Sequence, residues 1–398
     1  MSKKNLVTDP TAAQAPRSGA VLSDDSRWMR VALAAGRRAE GRTGSNPPVG
    51  CALVSADGVL LSEGHTGRDG VPHAEAAALD NLRQRDGGLQ RLAGGTAFVT
   101  LEPCAHHGKT PPCITALIDA GIARLVVALQ DPDPRVDGAG LAAATAAGIA
   151  VTTGVGAAEA NDQLLPFIYR IHNNKPFCSL KVASSLDGRI ALADRKKRWL
   201  TGPAMRRYVH LLRSRADALA TGIGTVLSDD PQLTCRDAGL DDDSPPVFLF
   251  DSDLRLPYRA QLLQHPRPLT VFHRAGVPAE RCKSLAAAGA TLVTMPCDAD
   301  GRPAIAAALS FLAESGVNHL MVEAGTGLAT GFLQAGAINR IYWTQSTHIL
   351  GGDALPAVGP RALSPVNDMA FSPETKYTLS RQQMIGDDHL LILEKPAL

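Results

Sequence analysis

The order His73, Ala74, Glu75, then Pro103-Cys104 and Cys113, constrains this chain more than any other feature. It spells H-x-E followed by P-C and a second cysteine, the ligand order of a zinc-dependent deaminase. Imidazole and two thiolates hold the metal and leave a fourth position for water. Bound zinc lowers the pKa of that water from about 15.7 to about 7. Glu75, two residues past the histidine, can take the water's proton and hand it to a departing ammonia. The bland alternative is a core histidine and two unrelated buried thiols. Against it, ligands and acid all occur in the expected chain order.

The pattern of elements around these residues alternates. Asp24 to Ala39 carries Trp28, Val31, Ala32, Leu33 and Ala35 at helical spacing after an acidic start. Asn46-Pro47-Pro48 stops it. Val49 to Val54 and Val59 to Glu63 read as strands around the turn Ala56-Asp57-Gly58. His73 to Leu82 reads as a helix with the first ligand at its start. Thr96 to Leu101 is a strand that delivers Pro103-Cys104, and Cys113 to Ala120 is a second helix. A strand at 125–129, a helix near Gly140 to Ala147 and a strand at 149–153 follow. Two ligand-bearing helices thus start on one side of a sheet, in a crevice at strand ends.

Between the cysteines lie eight residues, Ala105 to Pro112, basic, polar and stiffened by two prolines. This insert suits contact with a substrate phosphate. A histidine ligand from it, or a simple cap over the site, are the alternatives; three protein ligands already complete a catalytic zinc site.

The length of 398 residues allows two or three domains. Asn161 to Lys175 is polar and holds Pro166, so it reads as a junction. Beyond it, Phe177 to Val182 reads as a strand ending in the turn Ser184 to Gly188, and Ala204 to Ala216 as a helix. Strands follow at 218–223, 247–251, 269–272, 291–295 and 319–322. The last runs into Glu323-Ala324-Gly325-Thr326-Gly327, with Gly331 in the next helix. A glycine-rich turn between strand and helix lets backbone N–H groups approach a pyrophosphate. The spacing is not G-x-G-x-x-G, and a tight turn needing positive φ explains the glycines equally well.

Composition excludes several classes. Net charge is +1 and aromatics are 4%, which leaves neither a basic field nor many rings for nucleic acid. No apolar run approaches the ~18 residues of a membrane span. Residues 1–23 read as a disordered tail without the apolar core of a secretory signal. Cys51, Cys178, Cys235, Cys282 and Cys297 lack paired spacing, so they read as reduced, buried thiols in a cytoplasmic protein.

NPPVGC at 46–51, PHAE at 72–75 and TLEPCAHHGKTPPC at 100–113 resemble the deaminase domain of the bacterial bifunctional riboflavin-biosynthesis deaminase–reductases. KVASSLDGRIAL at 181–192, the segment 198–236 and VEAGTGLATGFL at 322–333 are similar to the reductase domain of the same family. The resemblance runs from about residue 24 to the C-terminus. It implies a cytidine-deaminase-like α/β/α domain over 24–171 and a dihydrofolate-reductase-like α/β domain over 172–398. It implies NADPH bound across Gly325, Thr326, Gly327 and Gly331, with contacts from Ala183, Trp199, Thr225, Asp229 and Ser252. It also implies substrate near Lys197, Arg213, Leu233, Arg236 and Glu323. Arg213 and Arg236 suit a sugar phosphate, since guanidinium is a fork of donors; each alone would read as a solvated charge. The chain departs from the family at Lys197 and Ala183, and at Thr344 to His348, where an Ala-Pro-Lys stretch is usual.

The expected activity is therefore two-step. One zinc per chain and Glu75 deaminate a small pyrimidine ribosyl phosphate, and NADPH then reduces its ribosyl chain to ribityl. Asp187, Asp229 and Glu323 are candidates for the reductase proton donor, with water as the alternative. No nucleic acid or membrane partner is expected, and a homo-oligomer is compatible with the chain. Two other classes compete: a nucleic-acid base deaminase with an appended domain, and a zinc-stabilised regulator without catalysis. The first is disfavoured by charge and aromatic content; the second would leave Glu75 without a purpose.

Overall fold

The computed structural model describes residues 24–105, 111–194, 198–237, 239–240, 243–359 and 376–396. The expected disordered tail at 1–23, residues 106–110 of the insert and Lys197 lie outside them.

The first domain begins with α1 (Asp24–Arg37), acidic in its first turn and basic in its last, as the helix dipole favours. β1 (Gly50–Val54) and β2 (Leu60–His65) form the expected hairpin, with Gly58 at φ +82° in its turn. β3 (Thr96–Val99), β4 (Arg124–Val127) and β5 (Ala150–Thr153) complete a sheet of order β2-β1-β3-β4-β5, parallel from β3 onward. Strand alternation decides the layers. Cys51 and Leu53 face a core shared with α2 (Ala74–Arg83), α3 (Cys113–Asp119) and α4 (Ala139–Ala146). Ala52 and Val54 face the other core, against Trp28, Met29 and Leu33 of α1. The result is the expected α/β/α sandwich, with α2 and α3 starting on one side.

The junction differs from the expectation of a linker at Asn161 to Lys175. Most of that stretch is a helix, α5 (Ala157–Asn173), with Pro166 inside it. Ala160, Gln163, Leu164 and Phe167 recur at helical spacing and are buried. An interior proline costs about 3 kcal/mol; fully burying Leu164 and Phe167 contributes about 1.5–3 kcal/mol each and offsets it. The helix ends at Asn174, left-handed at φ +50°, and only residues 174–176 lie before the next strand.

The second domain is built on β6 (Phe177–Ser184), β8 (Ala218–Gly222), β9 (Val247–Phe250), β10 (Leu269–His273), β11 (Ala290–Thr294), β12 (His319–Val322) and β13 (Arg340–Gln345). The antiparallel pair β15 (Thr378–Ile385) and β16 (Asp388–Glu394) extends one edge, and β7 (Arg189–Ala191) pairs separately with β14 (Leu355–Pro356). The large sheet has the order β11-β10-β9-β8-β12-β6-β13-β16-β15, parallel from β11 to β13. α6 (Pro203–Ser214) and α8 (Ala279–Ala287) cover one face, while α9 (Ile305–Glu314) and α10 (Thr326–Gln334) cover the other. α7 (Ile223–Asp229) follows β8 directly. The chain runs outward from β8 to β11, then returns to insert β12 between β8 and β6. That reversal opens a crevice at the C-terminal strand ends, where such sheets bind ligands.

Polar contacts join the domains. Asp243, nearly buried, accepts from Arg42 at 2.5 Å and Arg68 at 3.2 Å. Asn318 accepts from Arg170 and donates to the Gly44 carbonyl. All seven cysteines are free thiols. Cys297 is exposed and Cys282 half-buried, which corrects the expectation of small buried hydrophobes at those two positions: Cys282 packs at the margin of a core, and Cys297 lies outside the cores. No described helix is long and apolar enough to cross a membrane.

Candidate active sites

His73, Cys104 and Cys113 converge although 40 residues separate the first from the last. His73 is the N-cap of α2, in extended conformation; Cys113 is the first residue of α3; Cys104 follows the end of β3. The His73 Nδ1 atom lies 3.6 Å from Cys104 Sγ and 3.3 Å from Cys113 Sγ. All three ligand atoms lie within 4.8 Å of one another, the sole grouping of this kind among the described residues. Bonds of ~2.05 and ~2.3 Å at a tetrahedral zinc separate N and S by about 3.6 Å. The donor set therefore fits zinc in both chemistry and spacing. The Cys113 N–H also points at Cys104 Sγ, at 3.4 Å. Hydrogen bonding from the Cys113 thiol, then from His73, holds the Cys104 thiol well below its usual range.

Glu75, on the first turn of α2, is 3% exposed. Burial is the main cause that pushes its carboxyl up to about 7, with Cys104 adding to it. It also lies within hydrogen-bonding reach of the Cys113 thiol. A residue the sequence reading missed stands close by in the chain. Glu102 is buried and accepts backbone N–H bonds from Asp131, Gly138, Gly140 and Leu141 at 2.8–3.3 Å. It ties the turn that carries Cys104 to the start of α4. Its position in the Leu101-Glu102-Pro103-Cys104 run was the available signal.

In the second domain a cavity of about 560 Å³ opens at the crevice beside β12. Of the expected cofactor residues, Thr225, Asp229, Ser252, Gly325, Thr326, Gly327 and Gly331 line it. Gly325 donates its N–H to Thr225 Oγ1 at 3.1 Å, which ties the α10 turn to α7. A Cβ at Gly327 would meet no protein atom within 4 Å, so the backbone there faces open cavity. An α-helix N-terminus behind such a turn fits a pyrophosphate. Ala183 and Trp199 are not in the lining. Ala183 sits on β6 across from Thr344, and Trp199 is 63% exposed with the Arg206 guanidinium 4.7 Å from its ring centroid. A larger cavity, about 720 Å³, lies between the domains at the opposite strand ends; it touches neither set of residues.

Arg213 and Glu323 come together as a nearly buried pair. Arg213 Nε lies 2.5 Å from Glu323 Oε1 and its NH2 3.0 Å from Oε2, while NH1 donates to the Thr234 carbonyl at 2.9 Å. Two arms of the Arg213 fork, expected at a sugar phosphate, are engaged here by the Glu323 carboxylate. Arg236, by contrast, is exposed and donates to Gln232 at 2.7 Å. Leu233 lies between them in the left-handed region at φ +53°, held by Arg267 N–H bonds to the Gln232 and Leu233 carbonyls. Such strain in a non-glycine residue collects at functional sites.

The proton-donor candidates also sort themselves. Burial would raise the Glu323 carboxyl, but Arg213 more than offsets it and holds it down to about 2. Asp187 accepts from the Ser185 hydroxyl and from the Leu350 and Gly351 N–H groups, which holds it at about 2. Both stay ionised. Lys181, missed by the sequence reading, faces Glu323 and Arg213 from β6, with its ammonium lowered by desolvation. The unusual stretch Thr344 to His348 is accommodated by pairing: Thr344 donates to the Val182 carbonyl and the His348 carbonyl accepts from Leu186.

Comparisons with known proteins agree with this geometry. The profile of the cytidine and deoxycytidylate deaminase zinc-binding region matches residues 22–129, and that of the RibD C-terminal domain matches residues 176–390. The riboflavin biosynthesis protein RibD of Escherichia coli is 36% identical over 93% of this chain and 99% of its own length. An Acinetobacter baumannii RibD structure superposes with a TM-score of 0.81 at 33% identity, covering 94% of this chain and 99% of that one. A Thermotoga maritima structure, described as a diaminohydroxyphosphoribosylaminopyrimidine deaminase/5-amino-6-(5-phosphoribosylamino)uracil reductase, has a TM-score of 0.80 at 29% identity, with 94% and 99% coverage. The two sites, the order of the domains and these likenesses agree: the chain belongs to the RibD family of riboflavin biosynthesis, a bifunctional enzyme with a zinc-dependent deaminase followed by an NADPH-dependent reductase.

Proposed function

We propose that the first domain deaminates 2,5-diamino-6-(5-phosphoribosylamino)pyrimidin-4-one. The second then reduces the ribosyl chain of the product to give 5-amino-6-(5-phosphoribitylamino)uracil. The observation that carries this is one chain holding both a three-ligand site with a buried glutamate and a glycine-walled cavity at a strand reversal. The description of the Thermotoga maritima relative supports the substrate class.

His73, Cys104 and Cys113 are the metal ligands in this reading. Zinc, when bound, supplies a Lewis acid that makes water a nucleophile near neutral pH. Glu75 takes the proton of that water as a C–O bond forms at the amino-bearing ring carbon, then delivers protons to the nitrogen as the C–N bond breaks and ammonia leaves. NADPH, when bound, supplies hydride to the opened ribosyl chain. Thr225, Asp229, Ser252 and the turn Gly325 to Gly331 hold the dinucleotide, and Glu323 and Leu233 border the substrate. With Asp187 and Glu323 ionised, Lys181, close to Glu323, joins Asp229 and water as candidate proton donors for the reduction. Incubation with the diaminopyrimidine ribosyl phosphate should give the deaminated product alone without NADPH and the ribityl product with it, identified by mass. Conversion of single-stranded DNA or tRNA instead would favour the nucleic-acid reading.

The free cysteines fit a cytoplasmic enzyme acting on small molecules. The domain boundary falls at residues 174–176 in this reading, slightly beyond the sequence-based boundary at 171/172. A fragment starting at Lys175 is expected to reduce the deaminated intermediate and to contain no zinc. A folded fragment without reductase activity counts against the boundary.

The two arginines should respond differently. Arg236→Ala is expected to lower kcat/KM for the phosphorylated intermediate by about 10- to 150-fold, the worth of one charge-assisted hydrogen bond. It should matter much less for the dephosphorylated analogue. Arg213→Ala should impair both substrates alike, because it leaves Glu323 buried and unpaired. Equal losses for both variants on both substrates would remove the phosphate role from Arg236.

A further inference from the structure

We propose that Asp243, a residue of the reductase domain, is a positioning residue for the deaminase: it anchors the turn that sets the metal ligand His73 in place. This rests on reading His73, Cys104 and Cys113 as the zinc site of the first domain. Asp243 lies between α7 and β9, on the face that the second domain turns toward the first. Its side chain is 5% exposed, and each carboxylate oxygen serves the other domain. Oδ2 accepts from Arg42 at 2.5 Å and Oδ1 from Arg68 at 3.2 Å. Among the described residues the carboxylate has no other side-chain partner, and neither guanidinium has another.

Arg68 belongs to the segment 66–73 that joins β2 to α2, and that segment is a closed turn. Gly67 donates its N–H to the Pro72 carbonyl at 2.8 Å, and Gly70 donates to the Gly67 carbonyl at 3.1 Å. The Pro72 carbonyl shares a peptide plane with the His73 nitrogen, so the Gly67 bond fixes the direction in which the chain enters the ligand. Asp69 and Gly70 are both left-handed, at φ +57° and +87°. In a non-glycine residue such a conformation persists where its surroundings hold it. Here the Asp69 N–H donates to the Arg42 carbonyl at 2.8 Å, while the Arg42 guanidinium reaches Asp243. Gly70 packs against Asn46, whose amide nitrogen a Cβ there would strike. The turn is thus held at Asp69 by the Arg42 backbone and at Arg68 by Asp243, and Asp243 binds both arginines. His73 follows at once as the N-cap of α2, with Glu75 on its first turn.

A simple clasp between domains is the competing account, and the rest of the interface speaks against it. Arg215 pairs with Glu40 at 3.3 Å and Arg340 with Asp162 at 2.8 Å. Asn318 bonds both Arg170 and the Gly44 carbonyl. Those contacts keep the domains together without Asp243. What Asp243 supplies is a nearly buried anion between two cations. Without it Arg42 and Arg68 repel one another, and Arg68, already 57% exposed, is free to turn to solvent and release the turn.

The test uses the full-length zinc-loaded enzyme and its variants. Asp243→Asn should lower kcat for deamination by about 10- to 100-fold, the range for groups that orient metal ligands. Zinc release to a chelator should quicken by a similar factor, with KM for the diaminopyrimidine substrate little changed. Reduction of the deaminated intermediate should be unaltered, which also reports that the chain is folded. Asp243→Glu, which keeps the charge, should recover part of the loss. Arg68→Ala should reproduce it in part, and the double variant should be no worse than Asp243→Asn alone, since both changes remove one contact. Unchanged deamination and zinc release in both Asp243→Asn and Arg68→Ala overturn the proposal. So does an equal fall of both activities with a lowered Tm, which is what a clasp predicts. Should Asp243→Asn fail to fold, Arg68→Ala, at an exposed side chain, decides by the same readings. An unmodified enzyme that neither holds zinc nor deaminates overturns the metal site itself, and the role of Asp243 with it.

Discussion

Glu75→Gln is expected to keep its zinc and to lose deamination by about 10⁴-fold or more. A positioned acid–base group contributes typically ~10²–10⁴-fold, and here one carboxylate serves both the attack of water and the departure of ammonia. Glutamine preserves the shape of a side chain that is 3% exposed at the start of α2, so the packing around it should hold. The amide can neither take nor return the proton. Metal content measured on the purified variant should equal that of the unmodified enzyme, and reduction of the deaminated intermediate should be untouched. Near-normal deamination would move the proton transfer to another group. Loss of zinc together with activity would show instead that Glu75 acts by holding the ligands.

Cys104→Ser and Cys113→Ser are each expected to abolish zinc binding and deamination while sparing the reductase. A hydroxyl is a far poorer zinc ligand than a thiolate at neutral pH, and two remaining ligands do not make a catalytic zinc site. The independence of the reductase follows from the fold. The ligands belong to a five-stranded sheet with its own cores, and the dinucleotide cavity belongs to a separate nine-stranded sheet. Removal of the metal by a chelator should reproduce the same split without any mutation. Full zinc content in either serine variant would remove that cysteine from the ligand set. Parallel loss of reductase activity would show that the Asp243 contacts to Arg42 and Arg68 transmit the change between domains.

The deaminase centre was legible in the sequence because its chemistry is written in short spacings. His73 and Glu75 are separated by one residue and lie at one helix start, and Pro103-Cys104 and Cys113 sit at the next strand end and helix start. Local rules of helix starts and strand alternation suffice to predict that these ends share a side of the sheet. The layer arrangement was legible for the same reason: β1 alternates Cys51 and Leu53 against Ala52 and Val54, and each pair meets its own core.

What only the tertiary structure decided is non-local or depends on burial. Gln163, Leu164 and Phe167 look like a polar junction interrupted by a proline, until their common face is seen to be covered; then α5 forms in spite of Pro166. Arg213 is expected near the substrate phosphate from the family resemblance, and by itself would read as a solvated charge. Its partner, Glu323, is 110 residues away and arrives because β12 inserts beside β8, near the helix that carries Arg213. Lys181 joins them from β6 by the same insertion. Spacing encodes which groups share one turn or one helix start. The order of strands in the sheet, set by which apolar faces can be buried together, decides which distant charges must meet.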